Sequence, residues 1–159
     1  SYIIDMNSFT VIQQWLHGTG DNRITISPGG DYMIRQGKIY AWNGTQFVEN
    51  GGTYNKNNIS RYIFKNDEKL ILAKGGMIEV IDVATGMLDR QITSPAYDII
   101  YDPVSDLLSG TDSNGQIYVH SFNASQPVTS FPGKGNIVLQ NNQLVAGHGF
   151  ILPLSFHYP

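Results

Sequence analysis

The 159-residue chain has ten Lys and Arg, thirteen Asp and Glu, no Cys, and a charged fraction of only 14%. Without cysteine there is no disulfide, thiolate metal site or cysteine nucleophile, and without a basic block there is little basis for nucleic-acid binding by counterion release. The 41% hydrophobic content suits one globular domain with a real core.

No apolar run approaches the roughly 20 residues of a membrane-spanning helix, so neither membrane nor nucleic acid is an expected partner. In chain order the first feature is "SYIIDMNSFTVIQQWL", which reads as two strands at about 2–5 and 10–16. It has no initiator Met and no secretory leader pattern. Either a removed leader or a piece of a longer protein is expected, and the compartment stays open. "RITISPGGDYMI" (23–34) then sets "SPGGD" between two apolar strands, and "GKIYAWNGTQFVEN" from Gly37 is a strand, a turn and a strand.

An irregular stretch, "VENGGTYNKNNISRY" (48–62), follows. The earlier order then recurs. "YIFKNDEKLILA" (62–73) leads to "GMIEVIDVATGMLDRQI" (76–92), and "YDIIYDPVSDLLSG" (97–110) leads to "GQIYVHSFNASQPVTSF" (115–131). A weaker copy is "NIVLQNNQLVAG" (136–147) with "GFILPLSF" from Gly149. The leading glycines Gly37, Gly76 and Gly115 are spaced 76 − 37 = 39 and 115 − 76 = 39. Ile39 and Ala41, Ile78 and Val80, and Ile117 and Val119 mark one face of each third strand. The turns "NGT", "ATG" and "NAS" close the hairpins. Pro, Gly and Asn clusters interrupt every helical window. Four strands in about 39 residues is the arithmetic of a propeller blade.

"GMIEVIDVATG" and "SPGG…YMI…GKIYAW" resemble WD40-like and YVTN-like propeller repeats over essentially the whole chain. Departures are Asn43 in place of the usual Asp, His120-Ser121 at the matching place in the third repeat, and the missing Gly-His pair before the first strands. The resemblance implies an all-β, propeller-like fold of about four repeats of four antiparallel strands. The repeats fall at about 23–50, 62–92 and 97–131, with partial blades at 1–16 and 136–156. The last three strands and the first two would give five strands where a blade holds four. A segment of a larger propeller, or a subunit whose ring other chains complete, is therefore the expected setting, because an open arc leaves edges bare; a self-contained four-bladed ring with one redundant strand is the alternative.

Sites for chemistry are sparse. No nucleophile elbow, phosphate loop, cofactor fingerprint or metal spacing occurs, so no catalytic residue, cofactor or metal is expected. Asp98, Asp102, Asp106 and Asp112 read as turn and loop carboxylates, and His120 as a half-buried strand residue. His148 lies between two glycines, where the backbone is free to approach a ligand. Trp15, Tyr40, Trp42, Tyr54, Tyr62 and Tyr118 are many aromatics for so neutral a chain, and they suit either blade packing or recognition. Asn43, Asn58 and Asn123 each open an Asn-x-Ser/Thr triplet. The candidate contact residues are Tyr54, Trp15, Trp42 and His148. The expected function is a non-catalytic platform for protein partners within a larger protein or assembly. The alternatives are a glycan- or surface-binding module, such as a viral or phage attachment component, and part of a propeller enzyme.

Overall fold

The period-two patterning becomes seventeen short strands among the described residues. The computed structural model describes residues 2–5, 7–15, 24–51, 59–124, 127–132, 137–140, 143–146 and 150–153, with Phe131 and the strands beyond it by backbone alone. A hairpin comes first, β1 (Tyr2–Asp5) with β2 (Thr10–Gln14). Blade 1 holds β3 (Ile24–Ile26), β4 (Tyr32–Arg35), β5 (Lys38–Trp42) and β6 (Phe47–Glu49). Blade 2 holds β7 (Ile59–Phe64), β8 (Lys69–Lys74), β9 (Met77–Asp82) and β10 (Leu88–Thr93). Blade 3 holds β11 (Asp98–Asp102), β12 (Leu107–Thr111), β13 (Ile117–Ser121) and β14 (Thr129–Phe131). A three-stranded sheet of β15 (Ile137–Gln140), β16 (Gln143–Ala146) and β17 (Phe150–Pro153) follows.

Each sheet is an antiparallel meander in chain order. The first strands β3, β7, β11 and β15 are neighbours in that order. The glycines that lead the repeat all have left-handed backbone, with φ of 68° at Gly37, 125° at Gly76 and 84° at Gly115. Only glycine takes such angles without cost, which explains its recurrence where a second strand turns into a third.

The core lies between blades. Ile34 and Ile39 of blade 1 pack on Tyr62, Phe64, Leu70, Leu72 and Ile81 of blade 2. From the other side of blade 2, Ile71, Ala73, Ile78, Val80 and Ile92 pack on Ile99, Leu108 and Phe122 of blade 3. Successive residues of a strand point to opposite faces, so the run Leu70–Ala73 serves both interfaces, and all four side chains are 0% exposed. On β12, Gly110 keeps the contact close: a Cβ there would stand 3.3 Å from that of Ala96.

Two expectations need correction. The first strand of blade 2 begins at Ile59, inside the stretch read as loop (48–62). A bulge hides it: Ile59 pairs with Lys74 and Arg61 with Ala73, while Ser60 falls between them. The extra residue breaks the alternation, and the Ser60 hydroxyl donates to the Ala73 carbonyl at 3.3 Å. His120, expected half-buried, is 0% exposed, because its face of β13 lies against the connection from β10 to β11.

Leu72→Ala removes atoms from a site closed on both sides and is expected to cost about 2–5 kcal/mol. Val48→Ala, on the exposed side of β6, should stay within about 0.5 kcal/mol. Urea unfolding of the two variants checks the contrast.

Candidate interaction surface

The turns joining first to second strands are tied across blades by polar contacts. In blade 2, Asp67 accepts hydrogen bonds from the Ser27 hydroxyl and, at 3.0 Å, from the Gly29 amide of blade 1. Gly29 lets the carboxylate come this close: a Cβ would come within 3.0 Å of three atoms of the Asp67 carboxylate, which would have to move aside. One blade later, Asp106 pairs with the Lys65 ammonium of blade 2 at 2.8 Å and accepts the Tyr101 hydroxyl at 2.7 Å. The two aspartates are one repeat apart, 106 − 67 = 39, and each reaches back to the preceding blade.

Two cations meet the Phe122 ring, with Lys65 Nζ 3.7 Å and the Arg90 guanidinium 4.5 Å from its centroid. Tyr101 meets the same ring edge-on at 5.9 Å. Contacts of cations with ring faces strengthen when water is excluded, and Phe122 is buried. Burial pushes the Tyr101 phenol up from its ordinary value, and the bond to Asp106 and that carboxylate's charge push it further. Burial pushes Asp106 the other way from its partners, but the bonds from Lys65 and Tyr101 prevail and hold its carboxyl below the usual range.

The remaining carboxylates of that stretch also serve structure. Asp102 caps its turn through the Val104 amide at 3.1 Å and the Ser105 hydroxyl. Asp112 accepts from the Asn114 and Gln116 amides, both at 2.8 Å. Asp98 meets Arg61 at 3.5 Å between first strands. His120 Nε2 lies 2.9 Å from the Ser94 hydroxyl, which joins β13 to the segment between blades 2 and 3. Among the described residues no three His, Asp or Glu converge as metal ligands.

Of the candidate contact residues, Trp15 and Trp42 are described; Tyr54 and His148 lie outside the described residues. Trp15 is half-buried, edge-on to Tyr40 at 6.1 Å, with the Arg35 guanidinium 5.5 Å from its centroid. Trp42 tilts against Phe47 at 5.1 Å at the outer end of blade 1. Gln13 completes the hairpin's hold on blade 1. Its amide donates to the Phe47 carbonyl at 2.9 Å and accepts the Phe47 amide at 2.8 Å, which covers the bare edge of β6. Neither the Gln13 clamp nor the Lys65 pair has a sequence signal; the 39-residue spacing of Asp67 and Asp106 is the one clue.

The hairpin leaves Ile3 and Asp5 partly covered and Tyr2, Ile4 and Val11 exposed, with Phe9 and Ile12 exposed as well. In blade 2 both faces are covered by neighbouring sheets. Between the first strands β3 and β7 lies a cleft of about 310 Å³ lined by Ile24, Thr25, Arg61, Tyr62 and Ile63.

Solved structures share this arrangement. The C-terminal WD40 domain of Sif2 matches with a TM-score of 0.60 at 18% identity, over 86% of this chain and 44% of that one. The WD40 β-propeller domain of Doa1 matches with a TM-score of 0.63 at 14% identity, over 82% of this chain and 48% of that one. The fold is that of a WD40-type β-propeller. No family model and no curated protein matches the sequence. This WD40-type chain spans less than half the length of either solved propeller. Its two partial sheets, β1–β2 and β15–β17, do not pair with each other.

The Tyr101 shift gives the WD40-type unit a measurable pH dependence. A phenol whose folded pKa is raised contributes stability in full below the ordinary value near 10, and that contribution falls as pH rises through the unfolded and toward the folded value. Tyr101→Phe should flatten this alkaline loss and cost about 1 kcal/mol at neutral pH for the lost hydrogen bond. Denaturation series at neutral and alkaline pH, run on both proteins, check it.

Proposed function

We propose that the chain is a non-catalytic protein-interaction platform within a larger assembly. The observation that carries this reading is the unpartnered apolar face of the β1–β2 hairpin, where Tyr2, Ile4 and Val11 are 60%, 49% and 55% exposed. The hairpin's other face is docked on blade 1 through Gln13 and Trp15. Exposed contiguous apolar residues mark contact surfaces in folded proteins, and WD40-type propellers commonly serve as interaction scaffolds. Fold alone does not set function; the reading rests on this face. Sugar stacking has less support, because Tyr40 and Arg35 already occupy the Trp15 ring.

The Ile4→Glu, Val11→Glu double variant tests the reading by light scattering on a sizing column. The wild-type chain should associate above the monomer mass, through this face, and the double variant should not. A wild-type chain that stays monomeric at every concentration, like the variant, would contradict it. In a Trp42→Phe background, where Trp15 is the one tryptophan, retention of the fluorescence signal in the variant shows that the hairpin is still docked.

A further inference from the structure

Three asparagines precede glycine: Asn43, Asn50 and Asn114. This pair is the chemical setting for succinimide formation, because glycine places no side chain in the way of its own backbone nitrogen. That nitrogen loses its proton to solvent and attacks the asparagine Cγ. A C–N bond forms and the carbonyl oxygen takes the negative charge. The intermediate then expels ammonia, which leaves with a proton. Water opens the ring at either carbonyl to give aspartate or isoaspartate. The balance is asparagine plus water to aspartate plus ammonia, with no redox step and no other reactant.

The three sites differ in what holds these atoms. At Asn114 the attacking nitrogen is engaged, since the Gly115 amide donates to the Asp112 carbonyl at 3.1 Å. At Asn50 the departing amide is engaged, donating to the Val83 and Ala84 carbonyls of blade 2, both at 3.0 Å. Asn43 has neither restraint: among the described residues its side-chain nitrogen and the Gly44 amide have no hydrogen-bond partner, and both residues are exposed.

The Asn43 oxygen is the better held atom. It accepts from the Thr45 amide at 3.0 Å, the Thr45 hydroxyl at 2.9 Å and the Gln46 amide at 2.9 Å. Donors on this oxygen stabilise the charge it gains to the extent that they follow it into the intermediate. Gly44 has φ +96, a left-handed backbone with open space where a side chain would stand, so no side chain shields this turn.

We propose that Asn43 is a site of spontaneous, succinimide-mediated deamidation, converted by water alone and ahead of Asn50 and Asn114. The fold accommodates the aspartate product. One repeat on, 82 − 43 = 39, Asp82 caps the matching turn through the Thr85 amide at 3.0 Å and hydroxyl at 2.8 Å. The isoaspartate product adds a backbone atom between Trp42 and Phe47, which are paired across β5 and β6, and disrupts that turn.

Folded and urea-unfolded chain are incubated side by side at mildly alkaline pH, and the three peptides are followed by mass spectrometry with isoaspartate detection. Unfolded, all three pairs should react at similar rates. Folded, Asn43 should outrun both others by about tenfold, a fraction of what one oxyanion donor contributes in an enzyme. Thr45→Ala should slow it in the folded chain only. Folded Asn43 reacting no faster than Asn114, or Thr45→Ala accelerating it, would overturn the proposal by showing that the turn holds Cγ away from the Gly44 nitrogen.

Discussion

The structure depends on a single constraint: a sheet whose two faces are both apolar cannot stand alone in water. Blade 2 shows it most clearly. Leu70 and Leu72 on one side of β8, and Ile71 and Ala73 on the other, are all fully buried, by different neighbours. At about 25 cal/mol per Å² of apolar area, that burial is what orders the strands, and it exists only between blades. Stability in such an array is a sum of nearest-neighbour interfaces. It is highest where a blade has a neighbour on each side and lowest at the two partial sheets.

Polar contacts fix how far each blade turns on the next. Asp67 and Asp106 each reach back one blade, to Ser27 and Gly29 in one case and to Lys65 in the other. Asn50 makes a comparable reach forward to the Val83 and Ala84 carbonyls. These side chains are partly exposed, so each contributes modestly. Their combined effect is to hold the turns on a common frame.

Much of this architecture is legible in the sequence because the repeat is written by backbone needs. Gly37, Gly76 and Gly115 recur since each stands at a positive φ, and alternating apolar residues mark strands. What escapes are contacts between residues far apart in the chain. Gln13 reading the Phe47 backbone has no local pattern, since any polar residue at the strand end looks the same. The bulge at Ser60 hides three residues of β7 in an apparent loop. Trp15, a candidate contact residue, lies half-buried against Tyr40 and Arg35, neighbours that no local pattern announces. Tyr54, in the irregular stretch 48–62, and His148, between two glycines, are outside the described residues. Periodicity locates cores well and says little about surfaces.

Native-state hydrogen exchange read by mass spectrometry tests blade stacking most directly. If interfaces between blades carry the stability, amides of β8 and β9 exchange only through the slowest, largest opening, those of β4 and β12 somewhat faster, and those of the β1–β2 hairpin fastest. Leu72→Ala, at the interface of blades 1 and 2, should then accelerate exchange in β4 as well as in β8. If exchange in β4 is untouched by that substitution, or the hairpin is as protected as β8, the sheets are independently stable and stacking is not what holds the fold.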